Sequence, residues 1–367
     1  MGSISKTLRA LFLGIALVSL MVACAGYAFL SELRRPAGDS STPVEFVVAQ
    51  GDTTNTIATN LRTAGLIRQP LLFTSLVRMQ NLDGQLRAGT YYLTPEMNMS
   101  EIISALQISQ PVKEAQVVVP EGLRMEQVAQ IVGSAGFEQV NQDTFLAAAR
   151  NGAAFKEGHF LLNSLPNGAS LEGYLFPDTY RFQTTATVTD VINTMLDRFD
   201  EQYGSFEKEV QVDANVHQIV TMASIVQREA ASNEEMPKVA AVFWNRLKPE
   251  NKGEFGGGKL GADPTVQYLR GTPENWWPKL DDLTSEQIDQ VGAGTDTYAY
   301  NTRANAGLPP GPIANPGLAA LEAAAKPDTS EPYTYFVLAC GQQGHRFATS
   351  NAQFLQYQNE YLNCPAQ

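Results

Sequence analysis

Glu229 closes the stretch Thr221-Met222-Ala223-Ser224-Ile225-Val226-Gln227-Arg228-Glu229. Apolar residues recur at Val216, Ile219, Val220, Ala223 and Val226, the spacing of one helix face, which predicts a helix over 213–231. Glu229 follows Val226 by three positions and Ile225 by four, so it borders the apolar stripe. A carboxyl at such an edge has its charged form disfavoured, which lifts its pKa toward the range of a general acid. Periodicity alone fits an ordinary border glutamate better; the surrounding motifs shift that balance.

Other chemistries find little support. His159, His217 and His345 are scattered, with no His-Glu-x-x-His and no Cys-x-x-Cys, so neither a metal site nor any cofactor is expected. Gly256-Gly257-Gly258-Lys259-Leu260 lacks the Gly-Lys-Ser/Thr ending of a phosphate loop and reads as a flexible insertion. The net charge of −12, without a basic stripe, argues against nucleic acid. Cys340 and Cys364 fit a disulfide in an exported protein, and two free thiols fit nearly as well.

The elements that must position Glu229 follow a membrane signal. Residues 10–30 form an uncharged apolar run of 21 residues, long enough for one spanning helix. Lys6 and Arg9 precede it, which predicts residues 1–9 in the cytoplasm and the remainder outside, anchored to the inner membrane. A cleaved signal peptide has a shorter core. Cys24 after Met21-Val22-Ala23 raises a lipoprotein signal, for which Met21 fits poorly. A linker, 31–43, leads to a small module at 44–110: a strand at 44–49, a turn at Gly51-Asp52-Thr53, helices at 57–64 and 71–79, a strand at 87–93 and a helix at 99–107 opened by Ser100. Val47-Val48-Ala49-Gln50-Gly51 is echoed 71 residues later by Val118-Val119-Pro120-Glu121-Gly122, predicting a second strand–turn–helix unit at 115–137. Beyond it, Ser232 with Glu235 reads as a capping box for a helix over 237–247. Asp263 before Pro264 reads as a helix cap. The class expected is α+β, with a mixed catalytic domain over 111–367.

Five blocks stand in order along the chain: Glu172-Gly173-Tyr174-Leu175-Phe176-Pro177-Asp178-Thr179-Tyr180; Ala223 to Glu229; Val242-Phe243-Trp244-Asn245-Arg246-Leu247; Asp263-Pro264-Thr265-Val266-Gln267-Tyr268; and Tyr300-Asn301-Thr302 with Gly307 to Ile313 and Asn315-Pro316-Gly317. Together they resemble the endolytic murein transglycosylases of the YceG-like (MltG) family across about residues 44–360. The first module also resembles the glycan-binding LysM module, in Gly51-Asp52-Thr53 before a helix near Ile57-Ala58, although a generic βα unit fits equally.

The family resemblance implies a single-pass inner-membrane enzyme that cuts peptidoglycan glycan strands internally. It also implies that Glu229, last of a triplet that is usually Glu-Lys-Glu and here Gln227-Arg228-Glu229, is catalytic. The expected lytic reaction needs one carboxyl. As acid it protonates the oxygen between N-acetylmuramic acid and N-acetylglucosamine; as base it then takes the proton of the muramic C6 hydroxyl closing on C1. Tyr300 and Asn301 head the expected substrate-binding set, with Thr302, Asn245, Asp263, Tyr268, Glu172 and Tyr180. Three departures from the family pattern are Gln227, the absence of a histidine within 351–354, and the glycine-rich insertion before Leu260. A hydrolytic muramidase with Asp178 or Asp263 activating water stays open, as does a non-catalytic peptidoglycan-binding scaffold. Cell-wall synthases are the protein partners to consider.

Overall fold

Two units make up the chain, Met1–Lys113 and Glu114–Gln367. The computed structural model describes residues 31–108, 114–341 and 344–364, together with residues 15, 17, 19–21, 24 and 27. Most of the apolar run 10–30 lies outside the described residues. Among the described residues no helix is long and apolar enough to cross a membrane.

In the first unit, β1 (Val44–Val48), α1 (Thr54–Thr63), α2 (Pro70–Met79), β2 (Gly89–Leu93) and α3 (Met99–Gln107) follow in order. β1 and β2 pair antiparallel, Val44 opposite Leu93, so that Phe46 and Val48 turn inward with Tyr91 and Leu93. Thr53 caps α1 by accepting from the Thr56 amide. The α3 cap is the reciprocal Asn98–Glu101 box rather than Ser100, whose amide instead donates to Asn98. Ile57, Leu61, Phe73, Ile102 and Leu106 close the core.

The second unit runs β3 (Glu114–Val118), α4 (Met125–Gly133), α5 (Gln142–Ala149), β4 (Thr179–Gln183), α6 (Val188–Gly204), α7 (Val216–Glu229), α8 (Met236–Leu247), α9 (Asp263–Arg270), α10 (Ser285–Gln290), α11 (Leu318–Ala325), β5 (Tyr335–Leu338), β6 (His345–Ala348) and α12 (Asn351–Leu362). β3 pairs with β4 and β5 with β6, both antiparallel, which gives an α+β unit dominated by helices. The echoed stretches share local geometry. Gly51 and Gly122 have φ of 90° and 75°, and Gly65 and Gly136 have 72° and 88°, conformations that favour glycine.

Helix α7 is the axle of this unit. Ile219, Val220, Met222, Ala223, Ile225 and Val226 are all fully buried, so the helix is enclosed on several sides and not merely amphipathic. It packs on α8 and on the alanine-rich α11, whose small side chains admit close approach. Asn215 caps it by accepting from the Gln218 amide, so the helix starts at Val216, three residues later than the pattern suggested.

Two other expected caps are not formed. Glu235 does not box with Ser232; its carboxylate accepts from the amide and Nδ1 of His345, joining α8 to β6. Asp263 is the first residue of α9 after Ala262, and its carboxylate takes Arg303 Nη1 at 2.7 Å instead of a helix amide. The glycine-rich 256–258 stretch turns through three left-handed residues and bridges to Ala306 and Gly307 through Lys259. A Cys340–Cys364 disulfide ties the β5–β6 hairpin to the end of α12.

Candidate active site

The last turn of α7 carries Gln227, Arg228 and Glu229, and each does something different. Gln227 Oε1 accepts from the Gly317 amide at 2.8 Å, docking the proline-rich 308–317 segment onto the helix. A glutamate could accept the same bond, which explains why Gln serves at that position. Arg228 lays its guanidinium 4.2 Å from the Trp277 ring centroid.

Glu229 points into a group of charges: Asp263 from α9, Arg246 from α8, and Arg303 after the Tyr298–Tyr300 turn. Part of its surface remains accessible although protein crowds its carboxyl. Burial first, then Asp263, push its pKa up to about 8 against the opposing pull of Arg246 and Arg303. Among the described residues nothing hydrogen-bonds this carboxyl. It is therefore protonated at neutral pH, reachable from outside, and free to give its proton to a ligand.

The neighbours of Glu229 are held elsewhere. Arg246 donates through Nε to Thr334 O at 2.9 Å and through Nη1 to Leu260 O, among the rings of Phe243, Phe255, Tyr335 and Phe336. Its burial lowers its pKa to about 10. Asp263 stays half exposed in its pair with Arg303.

A second group adjoins the first through α9 and the α7 terminus. Tyr268 and Tyr300 have ring centroids 5.2 Å apart, and Tyr268 also faces the Arg124 guanidinium at 4.5 Å. Neither tyrosine hydroxyl has a hydrogen-bond partner among the described residues. Burial raises the pKa of both, Tyr300 to about 12, so both remain neutral donors at physiological pH. Tyr300 lines a cavity of about 560 Å³ with Glu172, His217, Ser170, Gly311 and Pro312.

The remaining expected residues make their polar contacts within the protein. Asn301 is fully buried, donating to Ile288 O and Val291 O at 2.8 and 3.1 Å and accepting from the Arg303 amide at 3.1 Å, so its amide is spent. Thr302 shares a buried hydroxyl pair with Thr265 at 2.9 Å. Tyr180 donates to Phe176 O at 2.6 Å. Asn245 donates to Tyr333 O at 2.8 Å and lines a separate cavity of about 620 Å³ with Trp244 and Pro249. Asp178 is paired with Arg198 at 2.7 Å.

Glu172 is a keystone. Both its oxygens accept from the Met125 amide, at 3.0 and 3.1 Å, at the start of α4, and one accepts from Asn315 Nδ2 at 3.1 Å. Burial, then Glu126, raise its pKa to about 8 against the Met125 amide, Arg124 and the Gly173 amide. Asn315 in turn accepts through Oδ1 from the Gly173 and Leu175 amides at 2.9 and 3.0 Å. His217 completes the bracing. Its Nε2 must donate to Pro310 O at 3.0 Å, so Nδ1 accepts from the Tyr174 hydroxyl at 3.0 Å, and burial keeps the ring neutral.

The family model that matches residues 46–360 is the YceG-like family. The chain belongs to the YceG-like family. It is 30% identical over 324 residues to the endolytic murein transglycosylase of Bacillus subtilis, covering 85% of this chain and 84% of that one. It is equally 30% identical over 332 residues to the endolytic murein transglycosylase of Streptococcus pneumoniae D39, spanning 57% of that longer protein. The crystal structure of a YceG-like protein from Listeria monocytogenes superposes with a TM-score of 0.53 at 27% identity, covering 86% of this chain and 99% of the other.

Sequence reasoning passed over Arg303, Arg124 and the Trp276-Trp277 pair. The pair was a legible signal, since it holds two of the three tryptophans in the chain. Asn315 stood inside a recognised block without a role, and only its hydrogen-bonded partners on distant segments reveal one.

Proposed function

We propose that this YceG-like protein is an endolytic lytic transglycosylase that cleaves the bond between N-acetylmuramic acid and N-acetylglucosamine within peptidoglycan strands, with Glu229 as acid and then base. The carrying observation is a carboxyl that is accessible, held up to about 8 and without a hydrogen bond among the described residues. Such a group delivers a proton at neutral pH and, once ionised, takes one back from the muramic C6 hydroxyl. The attacking hydroxyl belongs to the substrate, so no second protein carboxylate is required, and a 1,6-anhydro end results. Tyr268 and Tyr300 offer ring faces and free hydroxyls to the sugars. Asp263 and Arg303 border the acid and set its charge balance. Glu172, Asn301, Thr302, Asn245 and Tyr180 act by holding the cleft walls.

The surrounding chain fits this role. The apolar run 10–30, with Lys6 and Arg9 before it, supports a single inner-membrane anchor with the amino terminus in the cytoplasm. The Cys340–Cys364 bond supports an oxidising compartment outside for the second unit. The β–α–α–β order of the first unit supports a LysM-like glycan-binding role.

One observation favours a second reading. Asp263 is close enough to Glu229 to raise its pKa, and a carboxylate beside an acid can activate water in a hydrolytic muramidase. Product ends decide between the two. Glycan strands are digested with the detergent-solubilised full chain and with Glu229→Gln, and the fragments are analysed by mass spectrometry. Internal fragments with 1,6-anhydro ends, lost in the variant, are expected. Reducing ends would establish hydrolysis, and no cleavage of a substrate that a control muramidase digests would leave a binding scaffold.

A further inference from the structure

Three buried side-chain donors in the second unit have no hydrogen-bond partner among the described residues: Arg124 Nε, Arg228 Nε and Trp277 Nε1. They are not dispersed. The Arg124 and Arg228 guanidinium carbons lie 4.5 and 4.2 Å from the centroid of the Trp277 ring. Arg124 is 4% exposed; its Nη2 is committed to Gln267 O at 3.1 Å and Trp276 O at 2.5 Å, which leaves Nε unused. Arg228 makes neither a hydrogen bond nor an ion pair among the described residues.

The electrostatics are as unusual as the geometry. Two like charges share one ring, and burial lowers the pKa of each. Glu126 and Glu172 act on Arg124 only at a distance, and neither arginine has a carboxylate within ion-pair range among the described residues. Glu121 lies against Gly317, where an added Cβ would fall 2.0 Å from its Oε1, and is not paired with Arg228. Desolvated cations with donors unspent are costly alone and become favourable when an anionic acceptor arrives. Gly271 and Gly122 let the two guanidinium groups lie close against the backbone: an added Cβ would fall 2.3 Å from Arg124 Nη2 and 3.3 Å from Arg228 Nη1.

We propose that Arg124, Trp277 and Arg228 form a subsite for a carboxylate of the peptide stem borne by the muramic residue at the cleavage point. The inference rests on the reading of Glu229 as the acid that cuts glycan strands. Cleavage at C1 of a muramic sugar puts the lactyl-linked stem of that sugar beside the acid. Arg228 precedes Glu229 in the last turn of α7, so the arginine pair lies at the same helix end as the acid, on a neighbouring face. The guanidinium and indole N–H groups suit a carboxylate's two oxygens, and the tryptophan face excludes water from the contact. The enzyme then distinguishes peptide-bearing strands from stripped ones by binding.

Calorimetry tests this without relying on turnover. The Glu229→Gln full chain is titrated with muramyl oligosaccharides carrying stems and with the same oligosaccharides after amidase removal of the stems. About tenfold tighter binding of the stem-bearing form is expected, with the ratio falling to near one in Glu229→Gln/Arg228→Gln. Trp277→Phe, which keeps an aromatic face and removes the indole donor, serves as the second variant and should lower the ratio partway. Equal affinity for the two forms, or a ratio unmoved by Arg228→Gln, overturns the proposal. So does a stack that only pins the 271–283 loop, which would weaken both forms equally and lower Tm. Inorganic phosphate abolishing the preference where free stem peptide does not would also overturn it, assigning the site to phosphate. If wild type cleaves neither strand form while the binding ratio holds, the catalytic reading fails and the subsite stands.

Discussion

Glu172 and Glu229 are two glutamates in one unit, both pushed up to about 8 chiefly by burial, and their surroundings differ. Glu172 is 5% exposed and receives the Met125 amide and Asn315 Nδ2; it is satisfied within the protein. Glu229 keeps an accessible surface and has neighbouring charges but, among the described residues, no donor. A raised pKa by itself separates neither from the other. What separates structure from chemistry is whether the protein has already used the group's hydrogen-bonding capacity.

The sharpest way to break this contrast is to substitute both residues and read activity and folding side by side. Glu229→Gln keeps size and loses the transferable proton, so kcat on glycan strands should fall by ~10²–10⁴-fold while Tm is held or raised. Glu172→Ala should do the reverse. It strands the Met125 amide in the interior and leaves Asn315 Nδ2 with only Leu123 O, costing ~2–4 kcal/mol and lowering Tm by ~5–10 °C. Asn315→Ala should match it, since the Gly173 and Leu175 amides lose their shared acceptor. Equal activity loss with no change in Tm for Glu172→Ala would place Glu172 in the chemistry and dissolve the contrast.

The same comparison has a pH form. Glu229 ionises near 4.5 in the unfolded chain and at about 8 in the folded one. Between those values the folded state holds more protons, so stability falls as pH rises and levels off above about 8. A glutamine side chain in its place does not titrate. The Glu229→Gln chain should therefore match wild type at pH near 4 and gain ~1–3 kcal/mol over it by pH 9, measured by denaturant unfolding at each pH. A constant offset at every pH would mean that burial of the charge is not what the site costs.

How much of this was legible in the sequence depends on the range of the interaction. Helices α7 and α8 and the βααβ order were readable because apolar spacing and local caps are properties of neighbouring residues. Glu229 at the border of its stripe was readable for the same reason, and the five motif blocks suggested the role proposed for it. The partners were not. Whether Asn301 faces a sugar or three carbonyls of 288–291, and whether Glu235 boxes with Ser232 or crosses to His345, is decided by segments that meet only on folding. Polar residues in a motif mark a place; the sequence does not say which of them have been spent on the backbone.

The finest test concerns the charges around the acid. Asp263 raises the Glu229 pKa, while Arg303, which it neutralises at 2.7 Å, lowers it. Asp263→Asn removes the first effect and frees the second, and both changes favour the ionised carboxyl. The alkaline limb of the kcat/KM profile, set in wild type by loss of the acid's proton near about 8, should move to lower pH by a fraction of a unit. If Asp263 only tunes the acid in this way, activity on the acid side of the limb persists and the products keep their 1,6-anhydro ends. If it activates water, the variant loses turnover at every pH, because a missing base is not restored by protonating Glu229. The shape of one pH profile thus decides whether the second carboxylate beside Glu229 shares its chemistry or sets its charge.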